Sequence, residues 1–102
     1  PESMAAVAAA RLIMDDAVAS EDWTKVALLA KKYREANLGG QASDFARIEG
    51  NARFKIARAV FEEADKLYKE NQLAKAKEKY KESSELFLNL IKDDPKNPYA
   101  DV

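Results

Sequence analysis

Leu67-Tyr68-Lys69-Glu70-Asn71-Gln72-Leu73-Ala74-Lys75-Ala76-Lys77-Glu78-Lys79-Tyr80 decides the reading of this chain. Leu, Lys, Glu and Ala, the strongest helix formers, stand on both sides of a short polar break at Asn71. A connection this short folds two helices back on each other as an antiparallel hairpin. Downstream, Leu73, Ala76, Tyr80, Ser83, Phe87 and Leu90 recur at steps of three and four, with Lys and Glu between them. This helix is expected from Gln72 to Lys92, because Asp94 precedes Pro95 and a residue before proline is pushed out of helical geometry.

Working back from the same stretch, a long helix is expected from Ser43 to Glu70, with Ser43 as its cap and Asp44 at the positive end of its dipole. Gly50-Asn51 is a weak point that costs about 1 kcal/mol against alanine and is expected to kink or shorten it. Further upstream, a first helix is expected from Ser3 to Ala19. A second follows from Asp22 to Ala36, between the polar break Ser20-Glu21-Asp22 and Gly39-Gly40. Trp23, Val26, Ala27, Ala30 and Tyr33 give the second helix its buried stripe, and alanine dominates the first. No run alternates apolar and polar residues in the manner of a strand. The expected class is all-α, two antiparallel hairpins in one domain over 1–102: about 3–37, about 43–93, and a tail 94–102.

The third helix carries two apolar stripes. One holds Phe45, Ile48, Ala52, Ile56, Ala59, Val60 and Leu67. The other holds Phe54, Phe61 and Tyr68 at intervals of seven, with Ala57 and Ala64 between them. A helix against one neighbour needs an apolar arc of only about 100°. This one must touch helices on two sides or present part of its arc outside the domain.

Composition narrows the chemistry. The 102 residues contain no Cys and no His, which removes disulfide scaffolds, thiolate metal sites, Ser-His or Cys-His nucleophiles and histidine proton shuttles. Seventeen Lys+Arg against eighteen Asp+Glu leave a formal charge of −1, so no charge excess drives nucleic-acid binding. The carboxylate pairs Asp15-Asp16, Glu62-Glu63 and Asp93-Asp94 diverge by about 100° on a helix and do not converge on one proton or metal. Lys66 to Lys81, interleaved with Glu70 and Glu78, reads as a solvated face, with a surface for an acidic partner or lipid headgroup as the alternative. No enzyme, cofactor or metal site is expected, and no transmembrane span.

Laying one hairpin over the other gives an internal match at an offset of fifty residues. Trp23-Thr24-Lys25-Val26 falls on Leu73-Ala74-Lys75-Ala76, Met14 on Ala64, Ala17 on Leu67, and Ala30 on Tyr80. With Ala64 in a small position, Leu67 three residues on, Asn71 in the turn, then Ala76 and Tyr80, the second hairpin resembles the tetratricopeptide-repeat (TPR) family. The offset of fifty exceeds that family's 34, and Val26 and Ala30 replace its alanine and aromatic in the first hairpin. The tail Asp94-Pro95-Lys96-Asn97-Pro98-Tyr99-Ala100 resembles the junction into a further repeat in bacterial members, among them outer-membrane assembly lipoproteins and gliding-motility proteins. A start at Pro1 and this junction together predict a piece excised from a longer protein. The resemblance implies a right-handed stack of hairpins, and it favours a periplasmic or envelope setting over the cytoplasm.

The resemblance also implies a concave groove lined by the first helix of each hairpin. On the third helix the residues at issue are Phe54, Arg58, Phe61, Asp65, Tyr68 and Lys69; on the first they are Arg11, Asp15 and Val18. Phe61 and Asp65 stand where carboxylate-clamping relatives use Lys and Asn, which speaks against a chaperone-tail clamp. The aromatic stripe has two readings, a groove for a partner or packing against the second or fourth helix. The expected function is a non-catalytic scaffold that binds a peptide or amphipathic helix of another protein. The alternative is self-association, or repeat stacking within a larger bacterial envelope assembly.

Overall fold

The computed structural model describes residues 4–95, and it is all-α. Four helices pack mainly in consecutive order: α1 (Met4–Ala19), α2 (Trp23–Glu35), α3 (Ala42–Lys69) and α4 (Leu73–Asp93), with a 3-10 turn at Leu38–Gly40. No strand occurs among the described residues, and no helix there is long and apolar enough to cross a membrane. Two expectations from the sequence, the Ser3 cap and all of the repeat junction 94–100 beyond Pro95, lie outside the described residues. The chain divides into two compact units, Pro1–Ala52 and Arg53–Val102, and the division falls inside α3.

The first unit is built from α1, α2 and the opening turns of α3. Asp22 caps α2 by accepting from the Lys25 N–H at 3.3 Å, which satisfies one of the orphan donors of its first turn. The apolar spacing of the sequence then places Met14 and Ala17 from α1, Val26 and Ala30 from α2, and Phe45 and Ala52 from α3 in one core cluster. Trp23, Ala27 and Tyr33 lie half-buried against it. Between α2 and α3 the chain turns through Asn37, Gly39 and Gly40, all at positive φ. Gly39 is required there twice over: its φ is +61°, and a Cβ would stand 3.0 Å from a Val7 methyl.

Two expectations about α3 are corrected. Ser43 is not its cap: the helix already begins at Ala42, with the Phe45 N–H donating to the Gln41 carbonyl at 3.1 Å, so Ser43 lies exposed in the first turn. Gly50-Asn51 does not shorten it, for the helix runs unbroken over 28 residues. Its propensity cost of about 1 kcal/mol is outweighed by burial of Phe45 and Ala52 on either side.

The second unit pairs α3 from Arg53 onward with α4, antiparallel. Ala57, Ala64, Ala76, Ser83 and Leu90 are its buried residues among those described. Small side chains let the two backbones approach, and the Ser83 hydroxyl donates to the Ala57 carbonyl at 2.9 Å. At the hairpin edge Phe54 meets Phe87 and Phe61 meets Tyr80, edge to face, with centroids 5.7 and 5.5 Å apart. Leu73, expected in the α4 stripe, is exposed at the start of that helix.

Each unit contains one hairpin turn, and the two turns carry the same hydrogen bonds fifty residues apart. Glu21 and Asn71 both adopt the left-handed conformation, at φ 55° and 63°. The Glu21 N–H donates to Val18 O and that of Asp22 to Ala17 O. Likewise Asn71 donates to Tyr68 O and Gln72 to Leu67 O. This is the Schellman arrangement that satisfies the last carbonyls of a helix. The turns differ at the next cap, where the Asp22 side chain bonds a helix N–H and the Gln72 side chain makes no capping bond. After α4, Asp94 is extended (φ −143°, ψ 79°) ahead of Pro95, as the sequence predicts.

Candidate functional site

An open groove of about 700 Å³ runs along the second unit, floored by the α3–α4 seam. From α3 it is lined by Phe54, Arg58 and Phe61, and from α4 by Tyr80, Ser83, Ser84, Phe87, Leu88 and Ile91. The lining is predominantly apolar, and Arg58 is its one charged residue. Phe61 remains 45% exposed and Leu88 61% exposed. Of the aromatic stripe, Phe54 and Phe61 pack against α4 and also line this furrow.

The walls are held by polar contacts around them. The Tyr80 hydroxyl donates to Asp65 Oδ1 at 2.5 Å. That bond to a carboxylate, reinforced by desolvation, raises the phenol above its ordinary range. At the far end Arg53 pairs with Asp93 at 2.9 Å. Arg58 pairs with Glu62 at 3.0 Å one turn on, both side chains largely exposed. In such a setting an ion pair contributes little, so Arg58 is easily recruited by another acid.

The other expected site residues are placed differently. Asp65 and Lys69 line a separate polar depression with Glu62, Lys66 and Glu70. Tyr68, 60% exposed, lies outside the lining of the apolar groove. Arg11 is engaged within the first unit: its guanidinium lies 4.5 Å over the Phe45 ring and donates to Asp44 and Gln41. Asp44, which also accepts from Arg47 at 2.7 Å, is held below the usual carboxylate range by the Arg47 and Arg11 bonds. Asp15 and Val18 are exposed on α1. The α4 wall was not singled out from the sequence. Its signal was the doublets Phe87-Leu88 and Leu90-Ile91, which broaden the apolar arc beyond one stripe.

The fifty-residue correspondence gives the groove a counterpart in the first unit. There the start of α3 rests on Arg11, on Tyr33 (5.4 Å between its ring and that of Phe45), on Arg34 (2.8 Å to Glu49) and on Leu38. Ala30 belongs to the same cluster, and Gln41 bonds Arg11. Fifty residues on, these positions are Phe61, Ser83, Ser84, Leu88, Tyr80 and Ile91, all of them in the groove lining. The surface that is covered by a helix in one unit is thus an open furrow among the described residues of the other. Compared with protein-family models, curated proteins and solved structures, the chain has no significant match in any of the three.

Proposed function

We propose that this chain is a non-catalytic, tetratricopeptide-like hairpin-repeat module that binds an amphipathic helix in the groove of its second unit. The repeated Schellman turns, fifty residues apart, support the repeat reading. The observation that carries the binding reading is the counterpart surface in the first unit, which holds a helix through Phe45 and Glu49. Helix-in-groove recognition seats residues at i, i+3, i+4 and i+7 in such a furrow. Phe45, Ile48 and Ala52 have that spacing in the first unit. In the second, the apolar lining favours an occupant with bulky apolar side chains, and Arg58 favours an acidic residue at its edge.

The test is a library of amphipathic helical peptides selected against the purified chain, with binding mapped by amide chemical shifts. Selected peptides are expected to perturb Phe54, Phe61, Phe87 and Leu88, and Leu88→Lys is expected to weaken them at least tenfold with helical circular dichroism unchanged. Peptides that map elsewhere, or that bind Leu88→Lys as well as the parent, overturn the proposal.

A further inference from the structure

We infer that the groove of the second unit receives α1 of a second copy of this chain, so that copies associate head to tail. The inference rests on the helix-binding reading of the groove and goes beyond it by naming the occupant. α1 has two faces. Ala10, Met14 and Ala17 are buried in the core of its own unit. On the opposite side, Met4, Ala8 and Leu12 follow one another at steps of four and are exposed, Leu12 at 70%. An amphipathic helix would normally turn polar residues outward there. Met4 to Leu12 covers about 12 Å at 1.5 Å per residue, within the roughly 16 Å that separate Tyr80 from Ile91 along α4.

Charge is complementary as well. The acids Asp15 and Asp16 are exposed beyond Leu12, and the groove lining has Arg58 as its one charged group. One molecule therefore carries both an apolar helix face and an apolar furrow of matching length. Because these are two different patches, the contact is heterologous, and each copy used as an acceptor still offers its own α1 to the next.

Sedimentation of the full chain over a concentration series tests this. The average mass is expected to rise with concentration for the parent. Leu12→Lys and Leu88→Lys, each at an exposed position, should each remain monomeric with unchanged circular dichroism. Ala8→Lys serves as an independent change on the α1 face. Mixed one to one, Leu12→Lys supplies an intact groove and Leu88→Lys an intact α1, so a heterodimer that grows no further is expected. A parent that stays monomeric to several hundred micromolar, a single variant that associates like the parent, or a mixture that stays monomeric overturns the inference. Helical peptides bound by Leu12→Lys but not by Leu88→Lys would then leave the groove reading standing, whereas their failure to bind would remove both.

Discussion

The two units apply one hairpin design to different ends. In Pro1–Ala52, the hairpin of α1 and α2 is covered by the start of α3, and Phe45, Met14 and Val26 are fully buried. In Arg53–Val102, no helix among the described residues covers the corresponding surface, and nothing larger than Leu90 is buried among them. A hairpin of two helices encloses only the seam between them, so its stability comes from close backbone approach at Ala57, Ala64 and Ala76. A third helix is what turns a seam into a core. Large apolar side chains at equivalent positions are core or surface according to whether a third helix packs on them.

Truncating one ring in each unit gives the largest expected contrast between them. Phe45→Ala is expected to cost about 3–5 kcal/mol, since it empties a fully buried site. Phe61→Ala, half-exposed, is expected to cost about 1 kcal/mol. Denaturant unfolding monitored by circular dichroism measures both, and equal losses would mean that the groove is as much a core as the first unit.

A smaller effect separates the two turns. Glu21 and Asn71 hold the same left-handed conformation, but asparagine tolerates it far better than glutamate. Glu21→Gly is therefore expected to stabilise by about 1 kcal/mol and Asn71→Gly by clearly less, read as a rise in thermal midpoint.

The smallest expected effects are opposite responses to pH. Asp44 in the first unit is held below its ordinary value by Arg47 and Arg11. Its contribution is therefore full above the unfolded carboxylate pKa of about 3.9 and is lost as pH falls through the folded value. Tyr80 in the second unit is raised by its bond to Asp65. Its contribution is full below the unfolded phenol pKa of about 10 and is lost as pH rises through the folded value. Chemical shifts of Phe45 and Phe61 followed across the two pH ranges are expected to move in acid and alkali respectively. Asp44→Asn and Tyr80→Phe should abolish the corresponding change.

Much of the molecule was legible because helix periodicity is a local property. The stripe of Trp23, Val26, Ala27, Ala30 and Tyr33, the break at Asn71 and the stop ahead of Pro95 each act within a few residues. The fifty-residue match was legible too, and it extends to backbone hydrogen bonds at Glu21-Asp22 and Asn71-Gln72. Ser43 and Gly50 misled because local preference there is worth about 1 kcal/mol, less than the packing of Phe45 and Ala52. Arg11 misled for a different reason: a cation on a helix face looks available until Phe45 and Asp44, more than thirty residues away, are brought beneath it.

By itself, then, the sequence determined the four helices, their turns and the apolar arc on α3, all consequences of residue spacing along a rod. Only the tertiary structure decided which part of that arc is sealed. Phe45 is buried against Arg11 of α1 and Tyr33 of α2, while Phe61 meets Tyr80 of α4 and stays exposed, and such neighbours are recorded by no local pattern.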